Sequence, residues 1–247
     1  MATATPRTLS APILLKIWEQ GAAWHFIDQA LLIVQTAYPD LSPQDIREMA
    51  IGRRDILLLQ IRRHTFGDRI EAYLECPSCR GGLEMTFSCE TLLEGVPESA
   101  VTRSTVEYDG IAWDLRAPNS RDMAAVAVAQ DVEMAKETLF ARCAQRKEAR
   151  SDNPGPVPPA LQAIVERELA VLDPQAEILI DLTCQVCGHT WQTIFDIIAF
   201  LWREIHTKAR RLLQEVDVLA RTYGWTETEV LRLSDTRRGL YVHMALS

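Results

Sequence analysis

The sequence predicts a mainly helical α+β protein in which two cysteine-bearing β-hairpins interrupt the helices. Three observations predict this class. Alternating polar and apolar residues run into and out of two C-x-x-C motifs, Cys76–Cys79 and Cys184–Cys187. Apolar residues at helical spacing recur before, between and after these motifs. The 47% hydrophobic content of the 247 residues is enough to bury a core in one large or two modest domains.

Each motif is predicted to lie at the tip of a hairpin, the first over residues 70–88 and the second over residues 177–195. Gly81 and Gly82 follow the first motif and Gly188 follows the second. Glycine at these places permits the positive φ that a tight turn requires. The two tips together supply four sulfurs, the donor set of a closed structural zinc site. The predicted Zn²⁺ ligands are Cys76, Cys79, Cys184 and Cys187.

Four thiolates leave no open coordination position, so this zinc ion is expected to hold structure and not to activate water. Two other uses of the motifs stay open. A redox-active pair is disfavoured because the motif occurs twice without an adjoining βαβ pattern, and two cystines would suit an exported protein. Six cysteines, four of them in these pairs, fit a reducing cytoplasm better. His189 and Cys89 are candidate substitute ligands, although the symmetric pairs already fill four positions.

Residues 1–69 are predicted to form an N-terminal helical segment. Apolar spacing indicates helices over 9–21 and from Phe26 to about Tyr38, a short third helix beginning at Ser42, and a fourth over 55–65 that Gly52 separates from the third. Four arginines flank the fourth helix: Arg53, Arg54, Arg62 and Arg63. They are interpreted as a solvated face or as ordinary ion pairs, the alternative being a docking edge for an acidic partner.

Residues 89–176 are predicted to be an insertion between the two hairpins. An irregular stretch over 89–100 precedes a β-hairpin that turns at Asp109–Gly110, where both residues tolerate positive φ. A helix over about 121–146 follows, then a proline-rich loop near 151–159, and a second helix over 160–172.

Residues 196–247 are predicted to be a long helix followed by two short ones. Apolar residues step by three or four from Asp196 to Tyr223, and Gly224 stands where a C-cap glycine belongs. The apolar face of this helix, over 196–222, is expected to pack within the chain, the alternative being burial on a partner. Thr226–Glu229 has the capping-box pattern that begins the first short helix.

Composition narrows the class of function. A net charge of −8 argues against nucleic-acid binding, and no run of residues is long enough to predict a membrane span. The first ten residues lack the features of a signal peptide. No phosphate-binding loop, nucleophile elbow or paired-histidine metal motif occurs. The chain is therefore predicted not to be an enzyme and to have no small-molecule substrate.

Stretches spread over most of the chain resemble a family of baseplate proteins from contractile-tailed phages and related contractile injection systems, whose members are described as hub or hub-assembly proteins. The resemblance excludes the first ten residues and the proline-rich loop. The stretches that carry it are Ile51–Asp55, Phe66–Glu71, the first C-x-x-C motif, Cys184–Trp191, Phe195–Ile205, Tyr223–Leu231 and Leu233–Ser234 before an arginine pair.

The resemblance implies a structural component of a baseplate, where tube, spike and sheath meet. Such a protein is expected to be made in the cytoplasm, to join a contractile particle in several copies, and to contact other baseplate, spike or hub, tube and sheath proteins. One alternative is a hub-assembly chaperone that is absent from the finished particle. Another is a zinc-ribbon adaptor that binds nucleic acid or transcription proteins.

Overall fold

The computed structural model describes residues 5–94, 101–147 and 157–247, and these residues form eleven helices and seven strands. The first elements are α1 (Ala11–Gly21), α2 (Phe26–Ala37), α3 (Pro43–Glu48), α4 (Ile51–Phe66), β1 (Arg69–Glu75) and β2 (Gly82–Ser88). The insertion contains α5 (Cys89–Leu93), β3 (Arg103–Tyr108), β4 (Ile111–Arg116), α6 (Ser120–Val126), α7 (Val132–Cys143), β5 (Ala144–Arg146) and α8 (Pro159–Leu172). The chain continues with β6 (Leu179–Thr183), β7 (Thr190–Ile194), α9 (Ile197–Tyr223), α10 (Glu227–Arg232) and α11 (Asp235–Leu246). The predicted α+β, mainly helical class is confirmed.

The strands form three small antiparallel sheets within the described residues. β1 pairs with β2, β6 pairs with β7, and a three-stranded sheet has the order β3-β4-β5. Asp109 and Gly110 turn the β3–β4 hairpin with φ values of 52° and 72°, as their tolerance of positive φ predicts. All three hairpins predicted from sequence are therefore present.

The main hydrophobic core lies between α1, α2, α4 and α9. Leu58, Leu59 and Ile61 of α4 are fully buried there, as are Leu201 and Ile205 of α9. The aliphatic residues of α4 form a nearly continuous run, and neighbouring elements cover this helix on more than one side. Packing of this kind, rather than helix propensity, supplies most of the stability of such helices.

The long helix α9 packs within the chain, as predicted. Asp196 begins it by accepting a hydrogen bond from the Ala199 N–H at 3.0 Å, and Gly224 ends it with φ 70°. Its buried face contacts α1, α4, α10 and α11. Gly21 of α1 allows close approach, because a Cβ there would lie 2.6 Å from the Trp202 ring.

The insertion has a second hydrophobic core of its own. Trp113 and Leu115 of β4 pack there with Phe140 and Cys143 of α7 and with one face of α8. Polar contacts connect this part to the N-terminal helices. The Gly52 N–H donates to Asp173 Oδ2 at 2.9 Å, and Arg54 Nη1 donates to Ser120 Oγ at 3.2 Å.

The single helix expected over 121–146 is wrong. α6 ends at Val126 and α7 begins after Asp131, whose carboxylate caps the new helix by accepting from the Met134 N–H at 2.8 Å. Residues Ala144–Arg146 then leave the helix to pair with β4. Pairing of these residues with a distant strand outweighs the local helical pattern.

Two smaller expectations also change, those for the stretch after Ser88 and for Gly52. Cys89–Leu93, expected to be irregular, is a short helix capped by Ser88. Residues 95–100, and residues 151–156 of the expected proline-rich loop, lie outside the described residues. Val157 is buried in the second core and Pro159 begins α8. Gly52 does not separate two helices, because it lies in the first turn of α4.

Two of the four arginines near α4 are not at the surface. Arg54 and Arg62 are each 3% exposed and pair with Asp55 and Glu204, respectively. They therefore cannot serve as a docking edge, and the ion-pair interpretation is correct for them. No helix in the described part of the chain combines the length and the apolar character that crossing a bilayer requires.

Candidate metal centre

Each C-x-x-C motif forms the turn of a hairpin, and we call the turn with its two cysteines a knuckle. The first knuckle lies between Glu75 and Gly82, the last paired residues of β1 and β2 before the turn. The second knuckle lies between Thr183 and Thr190, the last paired residues of β6 and β7 before the turn. In both hairpins the first cysteine therefore directly follows the last paired residue of the first strand, so the two turns begin in the same register.

The two knuckles have the same backbone hydrogen bonds. In the first, the Cys76 N–H donates to the Gly81 carbonyl at 2.9 Å and the Arg80 N–H donates back to the Cys76 carbonyl at 2.8 Å. In the second, the Cys184 N–H donates to the His189 carbonyl at 2.8 Å and the Gly188 N–H donates to the Cys184 carbonyl at 2.9 Å. The repeated motif therefore folds into one repeated turn.

The positive φ of the turn falls on Arg80 in the first knuckle, at 60°, and on Gly188 in the second, at 72°. The expectation that Gly81 and Gly82 supply it is wrong, since neither has a positive φ. These two glycines make room instead. A Cβ on Gly81 would lie 3.0 Å from Val186 Cγ2 of the other knuckle, and one on Gly82 would lie 2.4 Å from the Tyr73 hydroxyl.

The structure brings the four predicted cysteines together. All four Sγ atoms lie within 4.8 Å of one another. Cys79 and Cys184 are 3.6 Å apart, Cys76 and Cys187 are 3.8 Å apart, and both close pairs join one knuckle to the other. Four sulfurs about 2.3 Å from one ion at tetrahedral angles would be about 3.8 Å apart. The donor set and its spacing therefore fit a four-thiolate metal site.

Burial and hydrogen bonds differ within the cluster. Cys76 and Cys184 are 1% exposed and pack against Leu83 and Trp191, while Cys79 and Cys187 are exposed. N–H groups of Cys187 and Val186 lower the pKa of the Cys184 thiol to about 7. The Gly81 N–H lowers the pKa of Cys79, but contacts with the Cys187, Cys184 and Cys76 thiols outweigh it and raise that pKa to about 12.

Crowding of the sulfurs explains the raised pKa of Cys79, because adjacent sulfurs cannot all carry negative charge without a cation between them, whereas backbone N–H groups are the main cause of the lowered pKa of Cys184. The first thiolate to form is stabilised by the neighbouring S–H groups. Each further thiolate is destabilised, because the negative charge of the first repels it. A bound divalent cation would remove this conflict, because thiolates, not thiols, are the metal ligands.

The two substitute ligands considered from sequence do not join the cluster. The His189 ring stacks on Trp191 with centroids 5.7 Å apart. Cys89 is buried beside Arg62, whose Nη1 lies 3.7 Å from its sulfur. Arg80 and Val186 also shape the knuckles, but neither is a residue type whose role could be recognised from sequence.

Comparison with known proteins found one similarity. No curated protein and no solved structure matches the chain. The model of a family described as T4 bacteriophage base plate protein matches residues 27–146, from α2 to β5. The match contains the first knuckle and most of the N-terminal core. Residues 27–146, just under half of the chain, are therefore similar to the T4 bacteriophage base plate protein family.

Proposed function

We propose that this protein is a stoichiometric structural subunit of the baseplate of a contractile phage tail or contractile injection system. In this proposal Zn²⁺ bound by Cys76, Cys79, Cys184 and Cys187 joins its two hairpins. The observation that carries the proposal is the convergence of two knuckles whose closest cysteines are 105 positions apart, in a chain whose residues 27–146 match a baseplate protein family.

The chemistry of the donor set supports zinc. Thiolates are soft ligands, and four of them in tetrahedral reach suit Zn²⁺ in a reducing compartment. Bound zinc would supply charge neutralisation and a cross-link between the knuckles. With all four positions taken by sulfur it would have no place for a substrate or an activated water.

A cross-link at this point has a mechanical consequence. The two hairpins contribute only Cys76, Leu83 and Cys184, with Trp191 at the edge, to the small cluster at their tips. Such a cluster buries little apolar area, and each Å² of buried apolar area contributes only about 25 cal/mol. Packing alone therefore holds the two tips together weakly. The metal would therefore make rigid a part of the chain that packing leaves weak, as a subunit with several neighbours requires.

The remaining expectations form part of the same proposal. The protein acts through protein–protein contacts and not as an enzyme, takes no small-molecule substrate, and is present in several copies in a symmetric assembly. Its organisation follows the five segments 1–69, 70–88, 89–176, 177–195 and 196–247, with the insertion between the two knuckle hairpins.

Quantitative mass spectrometry of purified contractile particles tests the structural role. A small fixed number of copies relative to spike and sheath is expected. Absence from finished particles with presence in immature fractions would replace the proposal with an assembly chaperone. Absence from both would contradict a role in the baseplate.

A second measurement addresses the zinc-ribbon adaptor. At low salt, where phosphate contacts are strongest, a gel shift with duplex or single-stranded DNA would favour that alternative. The net charge of −8 predicts no shift.

A further inference from the structure

A groove of about 940 Å³ runs between α9 and the two knuckle hairpins, apart from the cysteine cluster. Its floor is apolar: Phe66, Phe87, Phe195 and Phe200 line it while packing against the main core. Two further apolar side chains of the groove, Tyr73 and Ile194, are 63% and 61% exposed. Large side chains this open to water at the rim of an apolar groove are typical of a surface that binds a partner.

The free edge of β1 lines this groove. Four consecutive residues, Glu71 to Leu74, contribute to it. Since successive side chains of a strand point to opposite faces, four in a row reach one groove only if the groove follows the strand's edge. Among the described strands β1 pairs with β2 alone, so its other edge has no partner.

The register shows which backbone groups point into the groove. The Cys76 N–H bonds to Gly81 and the Cys89 N–H bonds to Asp68, so the even-numbered residues of β1 make the bonds to β2. The N–H and C=O groups of Glu71 and Tyr73 therefore point away from β2. An unpaired row of this kind is a template for an added strand.

Charge at the groove indicates the chemistry of the occupant. Five arginine and lysine side chains and three carboxylates line it. Four of the five cations form ion pairs within the chain: Arg62 with Glu204, Arg69 with Glu71, Lys208 with Asp235 and Arg211 with Glu215. Arg203 forms no ion pair with any residue that the structure describes. Among the described residues, Arg203 is therefore the lining cation whose charge no carboxylate of the chain neutralises, while the lining carboxylate without an ion pair, Asp196, caps the N-terminus of α9.

We propose that the groove binds an extended acidic segment of another protein, which adds as a strand to the edge of β1. Apolar side chains on one face of this segment pack on the phenylalanine floor, and carboxylates on the other face lie near Arg203. Strand addition of this kind takes affinity from main-chain hydrogen bonds and specificity from alternate side chains. The inference rests on the proposed structural role only in that the partner is another baseplate protein.

Fluorescence anisotropy with a labelled peptide tests the proposal on the full chain. The probe is a peptide of about ten residues, a length that spans one strand, in which glutamate alternates with valine or phenylalanine. Saturable binding is expected, and it should be lost when lysine replaces every glutamate. No binding of the glutamate peptide at millimolar protein would overturn the proposal, as would equal binding of the lysine peptide.

The proline pair Glu71→Pro and Thr86→Pro separates edge pairing from simple charge attraction. Glu71 and Thr86 face each other across β1 and β2, and both have outward-pointing N–H groups, but only Glu71 is at the groove. Glu71→Pro removes one donor at an edge, where proline is tolerated, and should weaken peptide binding about tenfold. Thr86→Pro should not change it. Glu71→Pro also removes a negative charge, so charge attraction alone would make the acidic peptide bind more tightly. Tighter binding would therefore overturn strand addition.

A second pair tests the charge argument without touching the backbone. Arg203→Glu should weaken binding about tenfold or more, while Arg210→Glu, an exposed arginine of the same helix outside the groove, should leave it unchanged. Equal effects of the two changes would contradict the proposed site. Self-association of the protein that competes with the peptide, seen as concentration-dependent sedimentation, would also contradict the proposal, because the groove would then bind a second copy of the chain. Peptide binding is measured on isolated protein, so its failure is distinct from absence of the chain from particles.

Discussion

Arg62 of α4 and Glu204 of α9 form a two-bond ion pair across the main core, with N···O distances of 2.8 and 3.1 Å. A third guanidinium nitrogen of Arg62 donates to the Gly67 carbonyl at 2.7 Å. The Arg62 side chain is 4% exposed, so its charge depends on these partners for the solvation that water would otherwise provide. The pair ties the C-terminal helix to the N-terminal helices.

Removing one member of this pair should be costly. Glu204→Ala leaves a buried guanidinium without its carboxylate and is expected to lower the free energy of unfolding by about 3 kcal/mol. The exposed pair Arg69–Glu71 is the control, and Arg69→Ala should change stability by less than about 1 kcal/mol. Urea unfolding followed by circular dichroism measures both. Equal small effects would show that the buried pair is not needed for stability.

Asp122 should make stability depend on acid pH. Burial alone raises its pKa, but hydrogen bonds from Arg116, the Asn119 N–H and Arg142 outweigh burial and lower the pKa below its usual range. A carboxyl with a lowered folded pKa contributes stability that is complete above the unfolded pKa of about 3.9 and is lost as pH falls through the folded value. Urea midpoints measured from neutral pH down to about pH 2 should therefore fall more steeply below pH 4 in the wild type than in Asp122→Asn. Parallel curves would contradict the assignment.

Two helical glycines should respond in opposite directions to alanine. In Gly52→Ala the new Cβ would lie 2.2 Å from Asp173 Oδ1, so the contact that joins α4 to the end of α8 must open, at a cost of about 2 kcal/mol. A Cβ at Gly239 in α11 meets nothing within 4 Å, and Gly239→Ala should stabilise by about 0.5–1 kcal/mol. Thermal unfolding of the two variants checks this difference. A common sign would show that the space around Gly52 is not limiting.

The cysteine cluster should carry one equivalent of zinc per chain. Cys79→Ser and Cys187→Ser should each lose the metal and lower the unfolding midpoint by about 10 °C or more, since structural zinc contributes directly to folding. Cys143→Ser is the control: it removes a thiol of the second core and should keep the zinc content. Metal analysis and calorimetry measure both quantities. A soluble, stable wild-type protein without metal would contradict the zinc proposal.

Local patterns explain which parts of the fold could be predicted. The alternation of β1, β2, β6 and β7 and the spacing of α9 each follow from residues close together in the chain, so these elements were predicted with nearly correct bounds. The helix expected over 121–146 failed at two places: Asp131 begins a new helix after a break at Val126, and β5 forms by pairing with Trp113–Leu115 of β4, a contact that no local pattern reports. The positive φ at Arg80 was missed for a related reason: the repeated turn imposes it on a residue type that does not signal it.

The sequence by itself determined the hairpins, the paired cysteines at their tips, the long C-terminal helix and the acidic balance of the chain. Each depends on residue types and short spacings. Tertiary structure alone decided that Arg54 and Arg62 are buried, that the four sulfurs meet within 4.8 Å, and that the edge of β1 borders a groove with Arg203 at its rim. The physical reason is that these features require contacts between residues far apart in the chain, such as the 142 positions between Arg62 and Glu204. Burial, pairing and groove shape exist only once packing has brought such residues together.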